Sequence, residues 1–170
     1  LDNHVTTLAS IDFFTVPTVR NRVLYVCVVL AHLRRRVVHF AVTEHPTAAW
    51  TARQVTEAFP WDTAPRYMIR DRDGIYGDVF RGRVKAMGIE EVLIAPRSPW
   101  QSPFVERLIG SVRRDCLDHV VVLNERHLRR VLKSYFSYYH DARCHMSLDG
   151  DAPEHREVQP PAMGKVIEFP

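Results

Sequence analysis

Residues 10–44, SIDFFTVPTVRNRVLYVCVVLAHLRRRVVHFAVTE, carry the strongest strand signal in the chain. Three runs rich in Val, Phe, Tyr and Ile lie within it, separated by short breaks: residues 10–17, 22–31 and 36–44. Side chains of these types favour strands, and breaks this short join strands that pair side by side. The stretch predicts an antiparallel meander whose apolar second strand is covered on both faces.

Downstream of the meander, helical and strand-like patterns alternate. Helical spacing covers 47–59 and 76–88, short strand-like runs cover 66–71 and 89–96, and longer helical patterns follow from Ser102 and over 124–140. A strand, a helix and a strand in succession favour parallel pairing through a right-handed crossover. We therefore predict an α/β fold with a mixed five-stranded sheet, three antiparallel strands and then two parallel ones, flanked by helices.

The length and composition fit a single domain. We assign residues 1–150 to this domain and residues 151–170, which contain several prolines, to an extended C-terminal tail or linker. The three cysteines have no CxxC spacing, which predicts a reduced, cytoplasmic compartment without a disulfide framework. We expect no membrane association, because the longest apolar run, 23–33, is about half the length of a membrane span.

Two acidic positions stand out on the predicted strands. Asp12 lies within the first strand, where an unpaired carboxylate is costly unless a cation, hydrogen-bond donors or solvent reach it. Asp71 and Asp73 follow the strand at 66–71, at the end where parallel strands deliver residues to a ligand crevice. A strand-end Asp and an Asp-rich turn are also ordinary structural features, and the turn itself leaves open which of the two aspartates is functional.

A third acid, Glu106, lies one turn into a basic helix that Ser102 can cap and Pro103 can open. The proline-rich approach containing Trp100 is expected to steer the chain into this helix. Alone, a first-turn Glu merely favours the helix dipole. Arg113 shares the face of Glu106, because seven residues advance about 700° around a helix.

Taken together, the acids predict metal chemistry. Carboxylates that converge from two strands and a helix repel one another unless they bind divalent cations. Such oxygen ligands suit Mg²⁺ or Mn²⁺ and phosphoryl transfer, in which two ions roughly 3.5–4 Å apart activate the attacking oxygen and stabilise the leaving one. The sequence contains no Gly-rich nucleotide cradle, and its net charge of +3 with clustered arginines is compatible with a nucleic-acid substrate. Solvated surface charge explains most single clusters equally well.

Three motifs resemble the catalytic core of retroviral-integrase-type DDE transposases of bacterial insertion sequences. They are, in order, SIDFFTV, MIRDRDGIY and APRSPWQSPFVERLIGSVRRDCLDHV, and YYHDARCHMSL at 138–148 resembles the closing motif of this group. The similarity covers about residues 5–150.

The family's spacing distinguishes the two aspartates of the turn. Its second Asp and its Glu are typically 35 positions apart, and Glu106 follows Asp71 by 35 positions and Asp73 by 33. An aromatic residue normally follows five positions after that Asp, as Tyr76 follows Asp71. The resemblance therefore implies that Asp12, Asp71 and Glu106 are the catalytic and metal-binding residues.

The resemblance also implies a ribonuclease H-like fold and a DNA strand-transfer reaction that uses two Mg²⁺ or Mn²⁺ ions. Water attacks a phosphodiester at the element's end and frees a 3′-hydroxyl, which then attacks target DNA. Arg107, Arg113 and Arg114 are expected to contact DNA phosphates. The expected partners are element ends, target DNA and further copies of the chain, and the expected location is the bacterial cytoplasm, in association with the nucleoid.

Some features depart from the family pattern. Asp73 replaces a usual glycine, Ser102 a common asparagine and Cys144 a frequent proline, but no carboxylate is lost. The chain starts close to the first catalytic strand, so we expect the N-terminal helix-turn-helix region that recognises element ends to be missing. The alternative interpretations are a catalytically inactive DNA-binding or self-associating remnant and a ribonuclease H-type nuclease without transferase activity.

Overall fold

A meander forms one half of the sheet. The computed structural model describes residues 7–95 and 102–155. Three strands pair antiparallel in chain order, as predicted: β1 (Leu8–Pro17), β2 (Val23–Ala31) and β3 (Arg36–Thr43). The Thr18 amide donates to the Arg22 carbonyl at 2.8 Å in the first turn, and Asn21 adopts a φ of 55° there. Asn tolerates this left-handed conformation, so the turn stays tight.

Two parallel strands complete the sheet. The strands and the helices that precede them are α1 (Ala48–Ala58), β4 (Tyr67–Arg70), α2 (Asp78–Ala86) and β5 (Glu90–Leu93). The strand order β3-β2-β1-β4-β5 makes β1 the central strand, with an antiparallel neighbour on one side and a parallel neighbour on the other. The predicted mixed five-stranded sheet is confirmed, although both parallel strands are shorter than the predicted runs.

The last two helices are α3 (Pro103–Asp115) and α4 (Glu125–Asp141). Asn124 caps α4 as expected, since its Oδ1 accepts the His127 amide at 2.9 Å. The capping role predicted for Ser102 is wrong: it holds the N-cap position of α3, but its side chain makes no capping hydrogen bond. It is buried and donates instead to the hydroxyl of Ser10 on β1. The predicted steering role of the prolines and Trp100 lies outside the described residues.

The sheet is covered on both faces, as the apolar character of β2 predicts. Val26, Val28 and Leu30 of β2 pack with the apolar stripes of α3 and α4. Cys27 and Val29 pack on the opposite face with residues of α1 and α2. Alternate residues of a central strand therefore face two different helix pairs.

The C-terminal boundary stays a prediction. Residues 151–155 contact the core, because Arg34 pairs with Asp151 at 2.6 Å and donates to the carbonyls of Ala152 and Pro153. The predicted tail beyond residue 155 lies outside the described residues. Within the described part of the chain, no helix is long and apolar enough to cross a membrane.

The docking of α3 on the sheet yields a stability prediction. Leu108 is 2% exposed in the core between α3, α4 and the sheet. Leu108→Ala is expected to lower the free energy of unfolding by about 2–5 kcal/mol, because truncation leaves a cavity. Leu33→Ala, at a half-exposed position, is the matched control and should change it by about 0.5 kcal/mol or less. Urea denaturation measures both, and equal losses would contradict this packing.

Candidate active site

Asp12 lies in the middle of the central strand. It shares a sheet face with Phe14, which packs with α3 and α4, because alternate residues of a strand point the same way. Its side chain is partly buried, and its Oδ1 accepts the amide of Phe13 at 2.7 Å. A carboxylate therefore stands beneath α3, within an otherwise apolar part of the sheet.

Asp71 follows directly after β4, on the strand that neighbours β1. The parallel register pairs Leu8 with Tyr67 and Ser10 with Ile69. When this pairing is continued by two residues beyond the last hydrogen-bonded pair, Asp71 lies opposite Asp12 on the same face of the sheet. Asp71 is exposed, and its Oδ1 accepts the amide of Asp73 at 3.2 Å.

Glu106 comes from α3, whose N-terminus is fixed on β1 by a buried polar contact. The Ser10 hydroxyl hydrogen-bonds His32 Nε2 at 2.7 Å and accepts the Ser102 hydroxyl at 3.5 Å. Ser10 precedes Asp12 by two residues on the same face, and Glu106 follows Ser102 by one helical turn. This contact sets the height at which the exposed Glu106 stands over the sheet.

The three carboxylates act on one another electrostatically. The pKa of Asp12 is raised from 3.8 to about 7, chiefly by burial; the Phe13 amide opposes the shift, and the charges of Glu106 and Asp71 add to it. The structure thus brings all three predicted acids within electrostatic reach. Among the described residues, however, no three His, Cys, Asp or Glu side chains are arranged closely enough to hold a metal ion.

A buried arginine supports the turn that carries Asp71, and the sequence analysis did not single it out. Arg70 is 5% exposed, pairs with Glu91 on β5 and donates to the Asp71 carbonyl at 2.8 Å. Its guanidinium also lies over the ring of Tyr76, whose hydroxyl donates to the Ile11 carbonyl at 3.3 Å. The available signal was an arginine in a short apolar strand with a glutamate on the next strand.

The three arginines predicted to contact DNA lie on two faces of α3. Arg113 faces β1, where it lies over the ring of Phe14 and donates to the Thr15 carbonyl at 3.4 Å. It therefore shares the Glu106 side of the helix, as predicted. Arg107 and Arg114 line a separate cavity on a neighbouring face.

Comparison with known proteins confirms the resemblance to integrase-type catalytic cores. Residues 87–153 match the family described as Integrase core domain. The chain is 25% identical over 139 residues to the insertion element IS476 uncharacterized 39.2 kDa protein of Xanthomonas euvesicatoria. That match covers 81% of this chain and 40% of the relative, so the chain spans about two fifths of the relative's length.

Solved structures define the class of fold as that of ribonuclease H-like integrase and transposase cores. The chain is similar to simian T-cell lymphotropic virus integrase in an intasome with PP2A regulatory subunit B56 gamma (TM-score 0.69, 13% identity, 97% of this chain and 60% of that chain). The catalytic core of HTLV-2 integrase in complex with magnesium matches with a TM-score of 0.65 and 11% identity over 88% of this chain and 94% of that chain. The Mos1 mariner transposase catalytic domain matches with a TM-score of 0.66 and 15% identity over 78% of this chain and 71% of that chain. The predicted fold class is confirmed.

The burial of Asp12 yields a pH prediction. In EDTA at about pH 8, Asp12→Asn is expected to raise the free energy of unfolding by roughly 1–3 kcal/mol, because the fold disfavours the carboxylate that it removes. Below the ordinary pKa of 3.8 the two proteins should be equally stable, and the difference should grow until the pH passes about 7. Urea denaturation across this range measures it. The exposed Asp62→Asn is the control; a gain independent of pH would refute the assignment.

Proposed function

We propose that this chain is the polynucleotidyl transferase core of a DNA transposase. The observation that carries the proposal is that Asp12, Asp71 and Glu106 lie within electrostatic reach of one another: burial raises the pKa of Asp12, and the charges of Glu106 and Asp71 add to the shift. The fold and the family match support the same class of protein. The magnesium named with the HTLV-2 core supports a divalent cation as cofactor.

The donor set fits divalent cations. Carboxylate oxygens are the ligands that Mg²⁺ and Mn²⁺ prefer, and the repulsion felt by Asp12 is the kind that a cation relieves. We propose Asp12, Asp71 and Glu106 as the ligands of two such ions. When bound, such ions activate the attacking oxygen and stabilise the leaving oxygen of a phosphodiester. Asp71 and Glu106 are exposed, so their side chains have room to reorient around a ligand.

The proposed reaction consists of two displacements at phosphorus. In the first, a water oxygen bonds to a phosphorus at the element's end, and the 3′ oxygen leaves as a free hydroxyl. In the second, that hydroxyl attacks a phosphorus of the target strand and displaces its 3′ oxygen, so one phosphodiester replaces another. Arg113, held beside Phe14 on the Glu106 side of α3, is proposed to contact a phosphate near the reacting one.

The surrounding residues hold the acids in place. The Arg70 and Glu91 pair fixes the backbone at Asp71, and the contact between Ser10 and Ser102 fixes the start of the Glu106 helix. Pre-positioned groups lower the barrier because no reorganisation is needed during the reaction. We also propose that multiple copies of the chain act together on paired DNA ends. The proposed location is the cytoplasm, near the nucleoid.

The catalytic assignment predicts loss of DNA processing in single variants. Asp12→Asn, Asp71→Asn and Glu106→Gln should each reduce Mg²⁺- or Mn²⁺-dependent nicking or strand joining by on the order of 10²-fold or more, since each removes a proposed ligand of the cations that stabilise the transition state. The assay uses the chain, or a longer protein that contains it, with supercoiled DNA. Asp73→Asn is the matched control and should retain activity. Unchanged activity in all three variants would disprove the proposal.

Metal binding tests the proposed ligands independently of activity. Titration with Mn²⁺, followed by the electron paramagnetic resonance signal of the free ion, should show binding that Asp12→Asn and Glu106→Gln weaken. Asp73→Asn should bind as the unaltered protein does, because its neighbour Asp71 keeps the carboxylate at that turn. Binding that is lost only in Asp73→Asn would move the metal site to the turn.

A further inference from the structure

An arginine-rich cavity of about 440 Å³ lies beside α3, apart from the three acids. The C-terminal end of α4 and the chain that follows it complete its wall. Its four arginines come from three parts of the fold: Arg107 and Arg114 from α3, Arg35 from the turn before β3, and Arg143 from the chain after α4. Arg107 and Arg114 stand about 100° and 80° around the helix from Glu106, whereas Arg113 stands only about 20° away. The cavity therefore opens on a different side of α3 from the carboxylates.

Positive charge in this cavity exceeds negative charge. Among the residues that the structure describes, Arg143 is the one arginine of the four that pairs with a carboxylate, that of Asp115 at 3.3 Å. Arg35 lies over the ring of Phe104 at 3.3 Å, and burial lowers the pKa of Arg35, with a further contribution from the nearby charge of Arg107. Like charges held together in this way are stabilised when an anion lies between them.

A partly buried imidazole, that of His145, lines the same cavity. His145 Nε2 has no hydrogen-bond partner among the described residues, although the atom is buried. The ring packs edge-on against Tyr139 at 4.8 Å, and burial with the charges of Arg143 and Arg35 lowers its pKa. A buried polar atom without a partner is costly, and a small rotation of the ring toward an oxygen of a bound ligand would satisfy it.

We propose that the cavity binds one phosphate of the DNA backbone, on the face of α3 adjacent to the one that carries Glu106. Guanidinium groups match the oxygens of a phosphate through paired hydrogen bonds. From Glu106 to Arg114 the helix advances about 12 Å, and one DNA strand presents a phosphate about every 3.4 Å along its axis. A strand that passes Glu106 thus reaches the cavity within a few nucleotides. The identity of the ligand as DNA rests on the proposed function.

The test measures binding of a labelled DNA duplex of mixed sequence to the whole chain in EDTA, over a series of KCl concentrations. Arg107→Gln and Arg114→Gln should each weaken binding. The double variant should lower the slope of log affinity against log salt by about one, because both arginines neutralise the same phosphate. Arg113→Gln, combined with the double variant, should remove about one more unit, since it contacts another phosphate.

Matched variants separate charge from folding. Arg126→Gln, at an exposed position of α4 outside the cavity, should leave affinity and slope unchanged. Arg114→Lys should bind DNA more tightly than Arg114→Gln and less tightly than the unaltered protein. Lysine keeps the positive charge but lacks the paired hydrogen bonds of the guanidinium group. Arg107 and Arg114 are exposed, so thermal unfolding should be unaltered in their variants.

Other outcomes would overturn the proposal. An unchanged slope in the double variant would show that no phosphate is bound there, and a loss of about two units would show two phosphates instead of one. Altered self-association in sedimentation velocity, with unchanged DNA binding, would assign the cavity to an acidic segment of a second copy. This test measures DNA binding and not catalysis, so the two proposals can fail independently. Nicking assays of the acid variants do not bear on phosphate binding in the cavity, and a cavity that binds no phosphate does not contradict the active-site proposal.

Discussion

The structure depends on one constraint: a carboxylate occupies the central strand of a sheet that is covered on both faces. Burial raises the pKa of Asp12 and the charges of Glu106 and Asp71 add to the shift, while one amide hydrogen bond, that of Phe13, opposes it. Such a group lowers stability whenever it is ionised without a cation nearby. The fold therefore contains a local instability at its centre, of the kind that the proposed divalent cation would remove.

The neighbouring elements keep this instability local. The parallel register of β1 and β4 sets Asp71 level with Asp12, and Arg70 holds the turn from the buried side. On the opposite face, apolar residues of α3 bury the helix, whereas the Ser10 and Ser102 hydroxyls set its position along β1. Apolar contacts thus provide the stability of α3, and a buried hydroxyl contact of 3.5 Å joins its start to β1.

Much of the fold could be predicted because its signals are local. The runs of β1 to β3 and the alternation of strand and helix follow from side-chain propensity and short connections. The behaviour of Ser102 could not be predicted, since a Ser before a helix normally caps it, and its actual partner, Ser10, is distant in the chain. The Arg70 and Glu91 pair and the arginine cavity also join distant residues. The spacing of the motifs identified the three acids in the sequence. Their electrostatic interaction could not be predicted, because it depends on the folded arrangement of two strands and a helix.

The polar contact at the start of α3 has a consequence for how this site could diversify. Asp12 lies in β1 and Asp71 directly follows the adjacent strand β4, so a shift of either strand would disturb the ladder that joins them. Glu106 is carried by a separate helix, seated through small hydroxyl groups and a His32 imidazole. The sheet therefore fixes the backbone positions of Asp12 and Asp71 relative to one another, whereas the position of Glu106 depends on how α3 is seated. Substitutions beneath α3 can retune the spacing of the acids while the sheet, and the stability it provides, remains intact.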